Sequence, residues 1–509
     1  MPMPRFVISL LLAAAVLVTV TAARAATPDP VPAAAPQAAQ PPGTNSGFGP
    51  TLDVVPHVPV LDDGKGGFAT GKYPNLFAEM GHSENEIKAK VQKAFNQLFH
   101  GDLQTQALYI PAGSNSNGPL AYIPDVQHTD VRSEGMSYGM MITVQMNKKE
   151  EFDALWNWSR TYMYHDDPKH PTYGYFSWEM NYDGTAISEG AAPDGEEYYA
   201  MSLLFAANRW PGGQGIYDYK AQANKLLHDM VHREAISGPT SAAGRKIPSP
   251  RIPADPYQMG TIIVKMPEPT AASTNDSSAA PARGRRGGFG GGFGGPRNAT
   301  TGKEVSDQYK MILFVPDSGR GGFTDPSYHL PAFYELWARW GPAEDCNFWL
   351  QAAQVSRDMF VKAANPQTGL IPNMANFDGT PRSNFQEDAW RCAMNWTVDW
   401  NWFRKDPRQQ ELSDRLQKFL ESKGIDTYAD WWSLDGNPAR NRHSPGLVAT
   451  SGFASAAATD KERAKKFAEA LWNLEVPSSL VFRYYDGLLY MMCMLHASGE
   501  FQAIMPRNP

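Results

Sequence analysis

Apolar residues recur at three- and four-residue spacing in six stretches of the chain: 83–100, 148–163, 217–233, 343–364, 407–423 and 460–474. In the first, Ile87, Val91, Phe95 and Leu98 fall on one face and polar side chains on the other, as in a helix between core and solvent. Ser83 with Glu86 has capping-box spacing, and Asp460 stands just before a helical run, so both starts carry N-terminal signals. Six further stretches have few charges along their length: 133–146, 195–208, 326–340, 388–403, 444–458 and 486–496. A helix without a charged face belongs inside the protein. The two kinds alternate, outer then inner, six times. That order predicts an all-α fold, an (α/α)6 barrel of six inner and six outer helices. Irregular repeat lengths argue against the alternative, an open helical solenoid. No comparable set of alternating strand patterns is present; residues 264–268 and 311–317 read as a small hairpin.

The flanking segments divide the chain further. Residues 1–26 read as a secretory signal peptide, with Arg5, a short apolar run and Ala23-Arg24-Ala25 as a small-x-small cleavage site. Residues 27–50 form a Pro/Ala-rich linker. Residues 51–509 read as a single domain, broken at about 267–303 by a Gly/Arg-rich insertion without periodicity, expected to be a disordered surface loop. No second long apolar run follows the signal. The expectation is an exported, periplasmic or secreted monomer with no membrane association after cleavage.

A formal net charge of -7 argues against a nucleic-acid partner, although GRRGGFGGGFGG within the insertion resembles RNA-binding Arg/Gly segments. Charged residues are few (19%) and aromatics many (12%), a balance that suits a cleft stacking the flat faces of sugars as well as a large core. Cys346, Cys392 and Cys493 each lie in apolar helical context and read as buried thiols. His165 to His170, HDDPKH, has no recognisable metal-ligand spacing and reads as a solvated loop, so no residue is assigned to a metal.

Acidic residues stand where the inner helices begin. Glu134 is the one charge between Ser133 and Met146, in the first turn of a buried helix. A carboxyl there is either neutral with a raised pKa or held by a partner, and Arg132 is the nearest candidate in sequence. Gly135, Ser137 and Gly139 let other backbone or a ligand approach this helix closely. Asp194, Asp325, Asp388 and Asp486 open four further inner helices. Each has a plain structural reading as a cap: Asp325 precedes Pro326, and Asp194 with Glu197 has capping-box spacing. In a barrel whose inner helices run parallel, these acids also gather at one mouth. Glycoside cleavage needs such a group, one carboxylic acid for the leaving oxygen and one carboxylate for water or for direct attack. Trp178, in the aromatic loop before Asp194, is a candidate sugar platform.

Five stretches, DVRSEGMSYGMMITVQM, APDGEEYYAMSLLFA, FTDPSYHLPAFYELWARW, DAWRCAMNW and RYYDGLLYMMCMLHASG, together resemble family 8 of the glycoside hydrolases. They are most similar to its branch of reducing-end xylose-releasing exo-oligoxylanases, and they extend from about Tyr73 to Phe501. The resemblance implies an inverting enzyme on an (α/α)6 barrel that cleaves β-1,4-linked xylo-oligosaccharides without a cofactor. By motif it implies Glu134 as general acid, Asp325 as general base and Asp194 as the carboxylate holding the distorted sugar, with the first two roughly 6.5–9.5 Å apart. Asp388, Arg391, His443 and Tyr485, like Trp178, are expected to contact sugar. In the exo-acting branch a short loop with His and Pro closes the cleft, and Arg442-His443-Ser444-Pro445 occupies the corresponding place here. An open cleft implies the alternative, an endo-acting xylanase or β-glucanase.

Overall fold

The computed structural model describes residues 64–233, 302–312 and 323–507, all of which fall in one compact unit, Pro50–Pro509. The signal and linker, and the insertion up to residue 301, lie outside the described residues, as does most of the expected hairpin. Met311 and Ile312 are described and are not in a strand, and residues 302 and 303 open a short helix, Gly302–Tyr309.

Twelve helices carry the architecture. In chain order they are α1 (Glu84–His100), α2 (Ser133–Gln145), α3 (Lys149–Trp158), α4 (Pro193–Arg209), α5 (Tyr219–His232), α6 (Pro331–Trp340), α7 (Cys346–Ala363), α8 (Glu387–Phe403), α9 (Arg408–Glu421), α10 (Pro445–Phe453), α11 (Lys461–Asn473) and α12 (Tyr485–Ala497). The even-numbered helices contact one another in sequence order, and α12 returns to α2, so they form a closed inner ring. The odd-numbered helices α3, α5, α7, α9 and α11 each pack on the inner helix before them, and α1 packs on α12. This is the (α/α)6 barrel expected from the pattern.

The physical reasons are local. Ser83 accepts from the Glu86 N–H at 3.3 Å while the Glu86 carboxylate accepts from the Ser83 N–H at 2.8 Å, so the capping box starts α1. That helix buries Ile87, Val91, Phe95 and Leu98, the apolar face read from the spacing. In α2 every residue except Glu134 is buried. The protein atoms that meet the glycines there belong to side chains: a Cβ on Gly139 would lie 2.9 Å from Ile123.

The inner helix expected at 326–340 is broken. Pro326–Tyr328 forms a single 3-10 turn, His329 and Leu330 leave helical geometry, and α6 starts at Pro331. Pro331 offers no N–H to a preceding turn, and its ring disfavours a helical conformation for Leu330. Among the described residues, eight short strands also lie outside the expected pattern. β1 (Ile110–Asn115) and β2 (Gly118–Tyr122) form a hairpin, and β7 (Trp431–Trp432) pairs with β8 (Pro438–Arg440). β3 (Pro124–Asp125), β4 (Asp130–Arg132), β5 (Glu179–Met180) and β6 (Ala186–Ser188) form an antiparallel sheet in that order. The strands of two or three residues are too short to show a period of two, and β1 and β2 are longer but do not bury alternate residues strictly. β4 leads directly into α2, and the Ser133 N–H donates to the Trp178 carbonyl at 3.1 Å, so this sheet fixes how α2 enters the barrel. Cys392 and Cys493 are buried thiols as expected, whereas Cys346 opens α7 and is only partly buried.

A buried ionic network ties α6, α7 and α8. Arg357 reaches Asp399 through Nε at 2.7 Å and Glu335 through Nη2 at 2.9 Å, and Lys405 closes on Glu335 at 2.9 Å. Burial opposes the Glu335 charge, but Arg357 and Lys405 win and hold its pKa down to about 2. A carboxylate with a depressed folded-state pKa contributes stability above its unfolded value, and that contribution fades as pH falls toward 2. Arg357→Ala leaves two buried carboxylates without their shared cation, so apparent stability should fall by about 3–5 kcal/mol at pH 7. The loss should shrink on acidification; thermal unfolding of both proteins from pH 7 to pH 3 tests this, and a loss independent of pH would contradict it.

Candidate active site

Arg391, on the second turn of α8, is 2% exposed and sits among the first turns of the inner helices. Its Nη1 donates to Glu134 Oε2 at 3.0 Å, to Asp194 Oδ2 at 2.7 Å and to the Tyr138 hydroxyl at 2.9 Å. Its Nη2 donates to Ser327 Oγ at 2.7 Å and lies 3.3 Å from Asp388 Oδ1. The Ser327 N–H in turn donates to Asp325 Oδ1 at 2.7 Å. Glu134 and Asp194 therefore meet the guanidinium through one nitrogen, and Asp325 is tied through Ser327 to the other.

The chain prepares each of these positions. Pro193 starts α4 and places Asp194 in its first turn, and Gly195 lets α4 approach α2: a Cβ there would lie 2.7 Å from Ser133 Cβ. Asp325 caps the 3-10 turn, as its position before Pro326 implied. That turn is held from below, where Asn395 donates to the carbonyls of Ser327 at 2.8 Å and His329 at 3.3 Å. The His329 ring bridges the hydroxyls of Thr324 and Ser356 at 3.0 and 2.9 Å, and burial lowers its pKa to about 3, so it stays neutral.

Three local readings are corrected. Arg132 does not pair with Glu134: it bonds Asp130 at 3.1 Å and lies 3.2 Å from Asp125, because both acids sit on the same small sheet. Asp194 and Glu197 form no capping box. The N-cap is Ala192, and Glu197 is buried deeper in α4, where it accepts from the Tyr334 hydroxyl. HDDPKH is likewise not simply solvated, since His165 and His170 stack at 3.9 Å and bond Ser177 and Glu189.

Burial dominates the electrostatics. It raises the Glu134 pKa; Arg391 opposes, Asp194 and Asp388 reinforce, and the outcome is about 7. Burial likewise raises Asp194, against Arg391, and pushes Asp325 well above the usual carboxylate range, with Asp388 adding to it. The cause is common: four carboxyl groups share one guanidinium, too little positive charge to keep all of them ionised. Glu134 is thus a carboxyl able to hold a proton near neutrality, and both its oxygens are oriented, one by Arg391 and the other by the Tyr484 hydroxyl at 3.1 Å.

Of the other expected site residues, Asp388 belongs to the cluster and, at 40% exposed, is its most open member. Tyr485 borders it, donating to the Glu387 carbonyl at 2.8 Å. Trp178 is half-buried beside the start of α2, with the Arg132 guanidinium 5.6 Å from its ring. His443 bonds the Tyr428 carbonyl at 2.9 Å and packs edge-on against that ring; none of its hydrogen bonds reaches the carboxylates. Sequence reasoning missed Tyr484, Tyr138 and Ser327. Tyr138 lies one turn after Glu134 on the same helix, and Ser327 directly follows the Asp325-Pro326 cap, so both had a spacing signal; Tyr484 was hidden beside Tyr485.

A closed helical barrel with acids converging at the N-terminal ends of its inner helices, Glu134 among them raised by burial to about 7, suits a glycosidase that works by proton transfer. Comparison with known proteins gives the family. Residues 117–241 and 317–499 match the family described as Glycosyl hydrolases family 8. The chain is 39% identical over 450 residues to the reducing-end xylose-releasing exo-oligoxylanase Rex8A of Paenibacillus barcinonensis, covering 86% of this chain and 98% of that protein. A crystal structure of a GH8 xylobiose complex from Teredinibacter turnerae superposes with a TM-score of 0.72 at 43% identity, covering 87% of this chain and all of that one. A xylohexaose complex of a catalytic-mutant GH8 xylanase from the same organism gives 0.72 at 42% identity, with the same coverage. The chain belongs to glycoside hydrolase family 8.

Gly135 is the residue that admits Tyr484. A Cβ at 135 would lie 2.5 Å from Tyr484 Cε2 and 2.8 Å from its hydroxyl. Gly135→Ala should therefore cost about 1–3 kcal/mol of stability by overpacking and lower turnover by displacing the Tyr484 bond to Glu134. Thermal unfolding and initial rates of the variant check this; wild-type values for both would contradict it.

Proposed function

We propose that the protein is an inverting hydrolase of β-1,4-linked xylo-oligosaccharides that releases xylose from the reducing end. Glu134 Oε–H gives its proton to the glycosidic oxygen as the bond from C1 to that oxygen breaks. A water attacks C1 from the opposite face, and Asp325 takes a proton from it; Asp325 acts only as the carboxylate, the state that its burial and Asp388 oppose and Arg391 and the Ser327 N–H favour. Asp194, fixed by Arg391, holds the sugar at the cleavage point. The observation that carries this reading is the split around Arg391: Glu134 on Nη1 with a pKa of about 7, and Asp325 reached from Nη2 through Ser327. Trp178, Asp388 and Tyr485 border the same mouth and are assigned to sugar contacts.

Reducing-end release is favoured by relatives bearing that name at 31–39% identity, whereas relatives named endoglucanase that align over about three quarters of the chain stand at 22–23%. His443, tethered to Tyr428, is proposed to close the cleft beyond one sugar. The second reading, internal cleavage of xylan, is favoured by the likeness to the protein named xylanase that was crystallised with xylohexaose. We further propose export directed by residues 1–26 and action as a monomer. Among the described residues no helix is long and apolar enough to cross a membrane.

Xylohexaose carrying 13C at its reducing-end C1 separates the two cleavage modes. The proposal expects all the earliest label in free xylose; label appearing at once in xylobiose and xylotriose would establish internal cleavage. The roles of the two carboxyls separate by leaving group. Glu134→Gln should lower turnover of xylotriose by about 10²–10⁴-fold and much less on a xylobioside whose leaving group needs no proton, while Asp325→Asn should lose on both. Equal losses for the two variants on both substrates would remove the acid–base assignment. Because Glu134 donates only while protonated, the wild-type rate should fall above about pH 7. A rate that holds constant to pH 9 would contradict its role.

A further inference from the structure

A second group of chemistry-bearing side chains is not used by the glycosidase site. His228 and His232 lie one turn apart near the end of α5, and Asp345 lies just before α7. One ligand atom from each falls within 4.8 Å of the others, and among the described residues this is the one such His/Cys/Asp/Glu group. The two imidazole rings are 4.4 Å apart at an interplanar angle of 32°, and His232 Nε2 contacts Asp345 Oδ1 at 2.5 Å. Both histidines are exposed, so a cation reaches them from solvent.

Asp345 supplies the independent observation. It occupies the N-cap position of an 18-residue helix, where an aspartate ordinarily accepts from the first-turn N–H groups, yet it makes no cap hydrogen bond. Its side chain is turned toward the histidines instead. It is 2% exposed, and its Oδ2 is buried with no hydrogen-bond partner among the described residues. A buried carboxylate oxygen left unsatisfied is costly, and a cation relieves that cost directly.

We propose that His228, His232 and Asp345 form a binding site for a divalent transition cation of the zinc class, with water as fourth ligand. Imidazole nitrogens with one carboxylate suit such an ion better than magnesium or calcium, which favour all-oxygen shells. Ligands at about 2.0–2.2 Å in a tetrahedron stand roughly 3.3 Å from one another. His232 and Asp345 are closer than that and His228 is within 4.8 Å, so side-chain rotation suffices to admit the ion in place of the direct His–Asp bond. The bound ion joins α5 to the start of α7. It thereby clips together two points 113 residues apart in the chain, with Asp325 between them. Its role is a structural tie, because binding that exists only in the folded state stabilises that state.

The test uses the full chain, prepared without a histidine tag and stripped with a chelator. Zn2+ should raise the unfolding temperature with one-to-one stoichiometry, and Co2+ should give the visible absorption of a four-coordinate nitrogen–oxygen site. Among the described residues His228 touches His232 by ring contact alone, so His228→Gln removes one ligand and leaves the His232–Asp345 bond. That variant should bind Zn2+ at least about tenfold more weakly, with unchanged metal-free unfolding and unchanged xylotriose turnover. Failure of wild type to bind one Zn2+, or equal affinity in His228→Gln, would overturn the proposal. Asp345→Asn, which keeps the shape but not the charge, should likewise weaken binding; retention of wild-type affinity there would remove Asp345 from the site.

Discussion

One buried guanidinium organises the mouth of this barrel. Arg391 is fixed by α8, and its two terminal nitrogens meet groups from α2, α4 and the turn before α6. A guanidinium is planar, permanently charged and rigid, so groups bonded to different nitrogens are held at a set separation and orientation. Glu134 and Asp325 inherit their placement from that plane. The same cation is outnumbered: Glu134, Asp194, Asp388 and Asp325 all couple to it electrostatically. Positioning and protonation thus have one origin, since the residue that holds the carboxyls is too little charge to ionise them all.

The barrel makes this possible by closing. Six inner helices whose first turns meet at one end bring there residues as distant in sequence as Glu134 and Tyr484, which are hydrogen-bonded at the seam where α12 closes on α2. Close approach needs small residues at the seams. Gly195 against Ser133 and Gly135 against Tyr484 are seams of this kind, and Gly446, whose N–H donates to Asp486 at 2.8 Å, opens α10 beside α12. Asp486 is consequently buried and its pKa raised to about 7, but its partner is the backbone of α10 rather than Arg391. An acid at an inner-helix start is therefore not by itself a member of the cluster. Connection to the guanidinium, direct or through Ser327, decides.

Much of this was legible in the residues. Alternating amphipathic and charge-poor stretches specify a two-layer helical barrel because burial on one side or on all sides leaves different patterns, and α2, buried along its length except at Glu134, is the clearest case. Acids at the helix starts pointed to the mouth. What the pattern could not carry were interactions set by three-dimensional neighbours. Arg132 is two residues from Glu134 in sequence but turns to Asp125 and Asp130, while Arg391, 257 residues away, takes its place. Strands of two or three residues leave no periodic trace, although β4 and β5 set the entry of α2. The cluster of His228, His232 and Asp345 escaped because its third member is remote in sequence and looks like an ordinary cap.

The central claim is that a water activated by Asp325 attacks opposite the proton given by Glu134. An anomer-resolved proton NMR time course on xylotriose tests it most directly. The account predicts xylose and xylobiose as products, with the newly formed reducing end of xylobiose appearing first as the α-anomer before mutarotation. A β-anomer appearing first would mean two displacements at C1 through a covalent intermediate, and would contradict the assignment of Asp325 as general base.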